Sequence, residues 1–287
     1  MKYLRVIGII ILISLTVLLI LIHFLGYYVN GNERYTKSFF SEEGVDYQHV
    51  MTNYKDRPVK SIFTGNKNSN QLICFIHGAP GSWNAFKTFQ VNNELRQKSQ
   101  IISVDRFGYG GSDYGHAEKD IEFQSLALID HLKQFDFDSL ILVGHSYGGP
   151  IAANMAAINP EKVKSVFMIA PVINPDTEKE FWFNNILKLP LIRFFLPAYV
   201  NVSVYEKLTH AESLQRIKAV WSQIKVPVIH WHCSDDWIAP AEGNIDFSKE
   251  YINEDILELE VWDGNGHLIP FNNVPKVLSK LNLLLDE

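Results

Sequence analysis

Three stretches of the chain carry residue types that do chemistry. The first is Gly144-His145-Ser146-Tyr147-Gly148, which follows the apolar run Ser139–Val143. A buried strand that turns at once into a helix needs small residues beside the turn, because a Cβ there would strike the neighbouring strand or helix. Gly144 and Gly148 meet that need and leave Ser146 at the tip with its hydroxyl exposed. The helix that begins there has Pro150 in its first turn, where a missing N–H costs nothing. Its free N–H groups and positive end favour developing negative charge. The chemistry expected of Ser146 is that of a hydroxyl nucleophile.

The second stretch is His77-Gly78-Ala79-Pro80-Gly81. Two glycines and a proline force an irregular turn that leaves backbone N–H groups free, and the Ala79 N–H is the expected oxyanion donor. The third is Asp263-Gly264-Asn265-Gly266-His267, where a histidine after a glycine-rich turn is a candidate general base. Two other features read as structural. Asp105–Ser112 contains Gly108-Tyr109-Gly110 but lacks the third glycine and the properly placed acid of a dinucleotide fingerprint, so it reads as a pocket-shaping loop. His230 and His232 alternate on one strand face without a third ligand, so they read as packing or surface residues rather than a metal site. No cofactor and no metal is expected.

These stretches need a frame that brings strand ends together. Strands are expected at 58–64, 71–76, 100–105, 139–143, 165–170, 226–233 and 256–262. Between them lie helical patterns at 83–98, 121–135, 150–159, 242–251 and 274–285. This alternation predicts an α/β protein with a mostly parallel, eight-stranded type of sheet and helices on both faces. Ligands then bind outside the carboxyl ends of the strands. Residues 174–224 break the rhythm. They hold Phe181, Trp182, Phe183 and Phe194, and Pro190 and Pro197 forbid one long helix, so two or three short helices are expected as a cap over the strand ends.

The 287 residues carry a net charge of −6, with no basic stripe, and nucleic acid is not an expected partner. The two cysteines, Cys74 and Cys233, fall in core strands and read as buried thiols. Residues 6–28 contain no Asp, Glu, Lys or Arg. At about 1.5 Å per residue this run can cross a bilayer core of about 30 Å. It is longer than the apolar region of a cleaved signal and ends in Tyr27-Tyr28, suited to a membrane interface. Residues 1–30 are therefore expected to be a single-pass anchor, 31–44 a tether and 45–287 the main domain. Lys2 and Arg5 before the run nearly balance Arg34 and Lys37 after it, a count that leans towards a main domain outside the cytoplasm.

Taken together, His77–Gly81, Asp105–Ser112, Gly144–Gly148, Asp236-Trp-Ile-Ala-Pro240 and Gly264–His267 resemble, in kind and order, the motifs of the α/β-hydrolases, over roughly 58–285. Cys233 departs from a glycine common before the acid loop. The resemblance implies a Ser146, Asp236, His267 triad, an oxyanion hole of the Ala79 and Tyr147 N–H groups, and acyl transfer. Dehalogenase and epoxide-hydrolase branches carry Asp where Ser146 stands. Between the adjacent acids Asp235 and Asp236, the latter is expected to face His267, because it stands four residues before Pro240 as the family's acid commonly does. Successive residues near a strand end also point opposite ways.

The expected substrate is a small carboxylic ester with an apolar acyl group, bound by Phe181, Trp182, Phe183 and Phe194. The loop 77–82 also resembles that of proline iminopeptidases, whose need for acids to hold an amino terminus Glu178, Glu180 and Glu206 would meet. A C–C bond hydrolase and a membrane-tethered binding protein are further alternatives.

Overall fold

The computed structural model describes residues 2–179 and 184–287. Eight strands form one sheet: β1 (Gln48–Tyr54), β2 (Arg57–Gly65), β3 (Gln71–Ile76), β4 (Gln100–Asp105), β5 (Ser139–His145), β6 (Val163–Ile169), β7 (Val228–Cys233) and β8 (Leu257–Trp262). Their order is β1-β2-β4-β3-β5-β6-β7-β8. β2 alone runs against the others, pairing antiparallel with both β1 and β4, and all remaining pairs are parallel. The chain goes from β3 to β4 on one side and then crosses to β5 on the other. The crevice at that reversal lies between the ends of β3 and β5, the place where such sheets bind ligands.

The helices are α1 (Lys2–Val29), α2 (Glu33–Glu43), α3 (Lys87–Gln90), α4 (Asn93–Lys98), α5 (Ile121–Leu132), α6 (Gly148–Ile158), α7 (Asn184–Leu187), α8 (Pro190–Phe195), α9 (Ala198–Ile217), α10 (Ala241–Tyr251), α11 (Ile269–Asn272) and α12 (Val274–Asp286). Two apolar layers cover the sheet. Leu128, Ile151, Met155, Leu214 and Trp221 pack on one face, and Phe86, Phe89, Val277 and Leu281 on the other. The inner parallel strands β3, β5 and β6 are largely apolar on both sides for this reason, whereas the edge strand β8 carries Glu258 and Glu260.

Three expectations are corrected. The pattern over 83–98 is broken into a 3-10 turn (Trp83–Phe86), α3 and α4, and the side chain of Ser82, just before it, makes no capping hydrogen bond. The Ser82 hydroxyl donates instead to the carbonyl of Val29, at 2.7 Å. The cap holds one 20-residue helix, α9, besides short pieces. Its far end reaches the main core through Leu214 and Ile217. The prolines act as expected: Pro190 opens α8 and Pro197 sits at the N-terminal cap of α9.

The third correction concerns residues 31–44, which are a docked helix rather than a tether. Asn32 caps α2 by accepting from the Tyr35 N–H, and Gly44 ends it at φ 63°, a left-handed position that favours glycine. Phe40 is buried, stacked between Tyr47 at 4.4 Å and Trp83 at 5.3 Å. The Trp83 indole donates to the Gly31 carbonyl at 3.0 Å.

The last turns of α1 are docked too. Leu19, Ile22, Gly26 and Val29 are its shielded positions, spaced to share one face. The Tyr199 hydroxyl of α9 donates to the Ile22 carbonyl at 2.8 Å. A Cβ on Gly26 would stand 2.7 Å from the Tyr199 ring. Among the described residues, one helical run, Arg5–Val29, is long and apolar enough to cross a membrane. Phe40→Ala removes a buried aromatic and should cost about 3 kcal/mol. That corresponds to a drop of about 6–12 °C in Tm for the detergent-solubilised chain. An unchanged Tm would mean that α2 contributes nothing to the fold.

Candidate active site

Ser146 stands between β5 and α6 with φ 53°, a left-handed conformation that costs a non-glycine residue on the order of 1–3 kcal/mol. Sheet-end contacts hold it there. Its N–H donates to the Ile169 carbonyl at 3.1 Å, and its carbonyl accepts from Gly149 at 3.0 Å and Val172 at 3.3 Å. The glycine requirement is steric: a Cβ on Gly144 would lie 2.3 Å from the Gly148 carbonyl oxygen, and one on Gly148 would lie 2.1 Å from the Ile76 carbonyl oxygen.

Loops after four strands meet at this turn. His267, after β8, places Nε2 at 2.8 Å from the Ser146 Oγ. Its Nδ1 lies 2.7 Å from Asp236 Oδ2, so an Nδ1–H donated to the carboxylate leaves Nε2 free to accept from the serine. Asp236, after β7, is buried. Its Oδ1 accepts from the Ile238 and Ala239 N–H groups at 2.9 and 2.8 Å. Burial works to raise its pKa, but hydrogen bonds from His232, His267 and the Ala239 N–H outweigh this and hold it well below the usual carboxylate range. Asp235 does not touch the His267 ring. It accepts the Gly266 N–H at 3.1 Å and so braces the loop that carries His267.

Buried histidines support this arrangement. His145 donates from Nε2 to the His267 carbonyl at 2.9 Å. Burial, with His267 beside it, takes its pKa down to about 3, so it stays neutral. His230 and His232 are both buried rather than at the surface. Ser248 Oγ lies 2.8 Å from His230 Nδ1, and His230 Nε2 lies 2.9 Å from His232 Nδ1. His232 Nε2 then lies 2.8 Å from the Ala239 carbonyl. One consistent set of donors runs along this chain to the turn beside Asp236. Among the described residues, no group of three or more His, Cys, Asp or Glu is placed to hold a metal.

A cavity of about 340 Å³ opens on Ser146 and is lined by Ala79 and Tyr147 beside it. Tyr147 precedes the first turn of α6, where N–H groups lack intrahelical acceptors. The 77–81 loop lies against the serine, since a Cβ on Gly78 would be 2.9 Å from the Ser146 Cβ. Arg106, fully buried, fixes that loop. Its guanidinium donates to the His77 carbonyl at 2.8 Å and the Gly78 carbonyl at 3.1 Å, and it pairs with Glu206 of α9 at 2.5 and 3.1 Å. Tyr109 donates to the same carboxylate at 2.7 Å. Sequence reading missed this role of Arg106: an arginine between a strand end and a glycine-rich loop gives no sign that its partner lies 100 residues on.

The roof of the cavity differs from expectation. Phe181, Trp182 and Phe183 lie outside the described residues. Phe194 is 79% exposed and does not line the cavity. Val172, Leu187, Val204, Leu208 and Ile238 supply the apolar wall. Its polar part is Glu178, Ser203, Lys207 and His210. Glu178 accepts from Lys207 and lies 3.0 Å from His210 Nδ1, and the His210 ring stacks on Tyr147 at 4.4 Å.

Comparison with known proteins bears on the fold. The family model described as the alpha/beta hydrolase fold matches residues 71–194. A bifunctional epoxide hydrolase 2 of Sus scrofa is 30% identical over 103 residues, covering 34% of this chain and 18% of that protein. The chain thus spans less than a fifth of that relative's length. A putative esterase/lipase 2 of Mycoplasma pneumoniae is 22% identical, over 79% of this chain and 93% of the relative. Among solved structures, a bacterial membrane phospholipase A superposes with a TM-score of 0.67 at 17% identity, covering 100% of this chain and 98% of that one. An esterase of Exiguobacterium antarcticum gives 0.63 at 20% identity, covering 84% and 100%. At these identities the superpositions speak to fold.

The two adjacent acids should separate in kinetics. Asp236→Asn should lower kcat on the order of 10²–10⁴-fold, because the amide can offer an N–H where His267 needs an acceptor. Asp235→Asn keeps an acceptor for Gly266 and should stay within roughly tenfold, about 1.4 kcal/mol in the barrier. Measuring kcat for both on one ester checks the assignment, and a crippled Asp235→Asn would reverse it.

Proposed function

The chain has the α/β-hydrolase fold, and from that premise we propose that it is a membrane-anchored serine hydrolase of carboxylic esters with an apolar acyl group. The observation that carries the proposal is the line Ser146 Oγ, His267, Asp236, with spacings of 2.8 and 2.7 Å, on the wall of a mostly apolar cavity. His267 Nε2 takes the proton as Ser146 Oγ attacks the ester carbonyl. The Ala79 and Tyr147 N–H groups donate to the oxyanion. Collapse expels the alcohol, protonated by His267, and leaves an acyl-serine. Water, deprotonated by His267, then attacks that acyl group and returns Ser146 to its starting form.

The apolar wall of Val172, Leu187, Val204, Leu208 and Ile238 favours an acyl chain. A serine, not an aspartate, at the tip sets this site apart from the expectation for epoxide hydrolases. The esterase, lipase and phospholipase names among the relatives agree with an ester substrate. An aminopeptidase would need free acids for an amino terminus. Of the three candidate acids, Glu180 lies outside the described residues, Glu206 is engaged by Arg106 and Tyr109, and Glu178 by Lys207 and His210.

The test is a series of p-nitrophenyl esters. The value of kcat/KM should rise from two-carbon to eight-carbon acyl groups, and Ser146→Ala should abolish turnover while the Tm stays near that of the parent. A flat or falling series would overturn the acyl preference. Near-parental turnover in Ser146→Ala would overturn the nucleophile.

A further inference from the structure

The cap carries a surface that the catalytic reading does not use. On and around α8, Leu191, Phe194 and Phe195 are 71%, 79% and 50% exposed, and Ile186 and Leu189 are exposed as well. Five large apolar side chains within ten residues form a patch of the kind that marks an interaction surface. Its position names the partner. Three residues after Phe195's neighbour Leu196 comes Tyr199, which is bonded to α1 at Ile22.

Arg5 marks the charged end of the apolar run. Ile22 lies 17 residues on, roughly 26 Å along a helix axis. The hydrocarbon layer is about 30 Å thick, and an ordinary tilt of about 20° brings Ile22 deeper still. An α1 that crosses a bilayer therefore carries its contact with Tyr199 to the hydrocarbon edge, not to bulk water. The cap surface next to Tyr199 must meet lipid at the same depth.

We propose that the α8 region of the cap sits in the interfacial layer of the bilayer that α1 crosses, and that the site takes its ester from that layer. The proposal rests on reading α1 as a membrane span and Ser146 as an esterase nucleophile, and it adds a second membrane contact through which substrate arrives. The patch has the make-up of an interfacial segment. Apolar side chains face outward, and exposed Lys188 lies at its edge, suited to lipid phosphate. The cavity wall is built from the helices on either side: Leu187 from α7, and Ser203 and Val204 from α9. An acyl chain passing from lipid to Ser146 thus crosses only the layer that these helices form.

The test uses the full chain in phosphatidylcholine vesicles containing lipids with nitroxide on the acyl chain. An environment-sensitive fluorophore is placed at Leu191→Cys, Phe194→Cys, Ile13→Cys or Lys67→Cys, the native Cys74 and Cys233 being buried. Ile13 reports the span, and exposed Lys67, on the β2–β3 turn, reports water. Quenching at Leu191 and Phe194 at least half as strong as at Ile13, with none at Lys67, is the expected result. Quenching at Ile13 but not at Leu191 or Phe194 would overturn the proposal while leaving the anchor standing. No quenching at Ile13 would overturn both. The readout needs no turnover, so it is independent of the esterase reading. As a functional arm, Leu191→Glu should lower hydrolysis of a vesicle-borne eight-carbon ester at least fivefold and leave p-nitrophenyl acetate within twofold. An equal change on both substrates, or none on either, would contradict the supply route.

Discussion

The buried guanidinium of Arg106 ties together the parts that make the site. Its five donor contacts reach the His77 and Gly78 carbonyls of the loop beside Ser146, Gln124 of α5 and both oxygens of Glu206 on α9. One side chain thereby fixes a candidate oxyanion loop, a core helix and the cap relative to one another. Burial works against the charge, but Glu206 outweighs it and holds the Arg106 pKa above its ordinary value. An apolar substitute would fill the space without orienting two carbonyls. Losing either partner of such a pair leaves a buried charge, typically worth 3–5 kcal/mol. The Arg106 guanidinium also lies 4.4 Å from the centre of the Tyr147 ring, which His210 covers at 4.4 Å. The residue whose N–H is assigned to the oxyanion is thus packed between sheet and cap.

Around this clamp, support runs through backbone as much as through side chains. Ser146 is kept in its left-handed conformation by the ends of β5 and β6, and His267 is held by a bond from His145 to its own carbonyl. Asp235 and Asp236 divide the work, one bracing the loop and the other facing the ring. Groups held from two directions lose little freedom when substrate arrives, which is the condition for electrostatic stabilisation without reorganisation.

Much of this was legible in the chain because local chemistry dictates it. Gly144 and Gly148 are demanded because a Cβ on either would stand 2.3 or 2.1 Å from a backbone oxygen, and Pro190 and Pro197 divide the cap helices because proline cannot continue a helix. Strand β1 was not legible. It joins β2 through Lys55 and Asp56, both with positive φ, where a hairpin turn normally advertises itself with Asn-Gly or Asp-Gly. The docking of α2 was hidden because few of its residues, Phe40 foremost, carry the packing on an otherwise polar helix. Phe194 was misassigned because apolarity marks burial or lipid contact equally well. The Arg106–Glu206 pair joins residues too far apart in sequence for spacing to link.

The central claim is that Ser146 is the nucleophile of a preorganised site. The most direct measurement is intact-mass and peptide-mapping analysis after treatment of the folded, detergent-solubilised chain with a fluorophosphonate. The account predicts a single adduct, on Ser146, formed much more slowly when His267 is replaced by Ala. A folded chain that stays unmodified, or an adduct on any other serine, would contradict it.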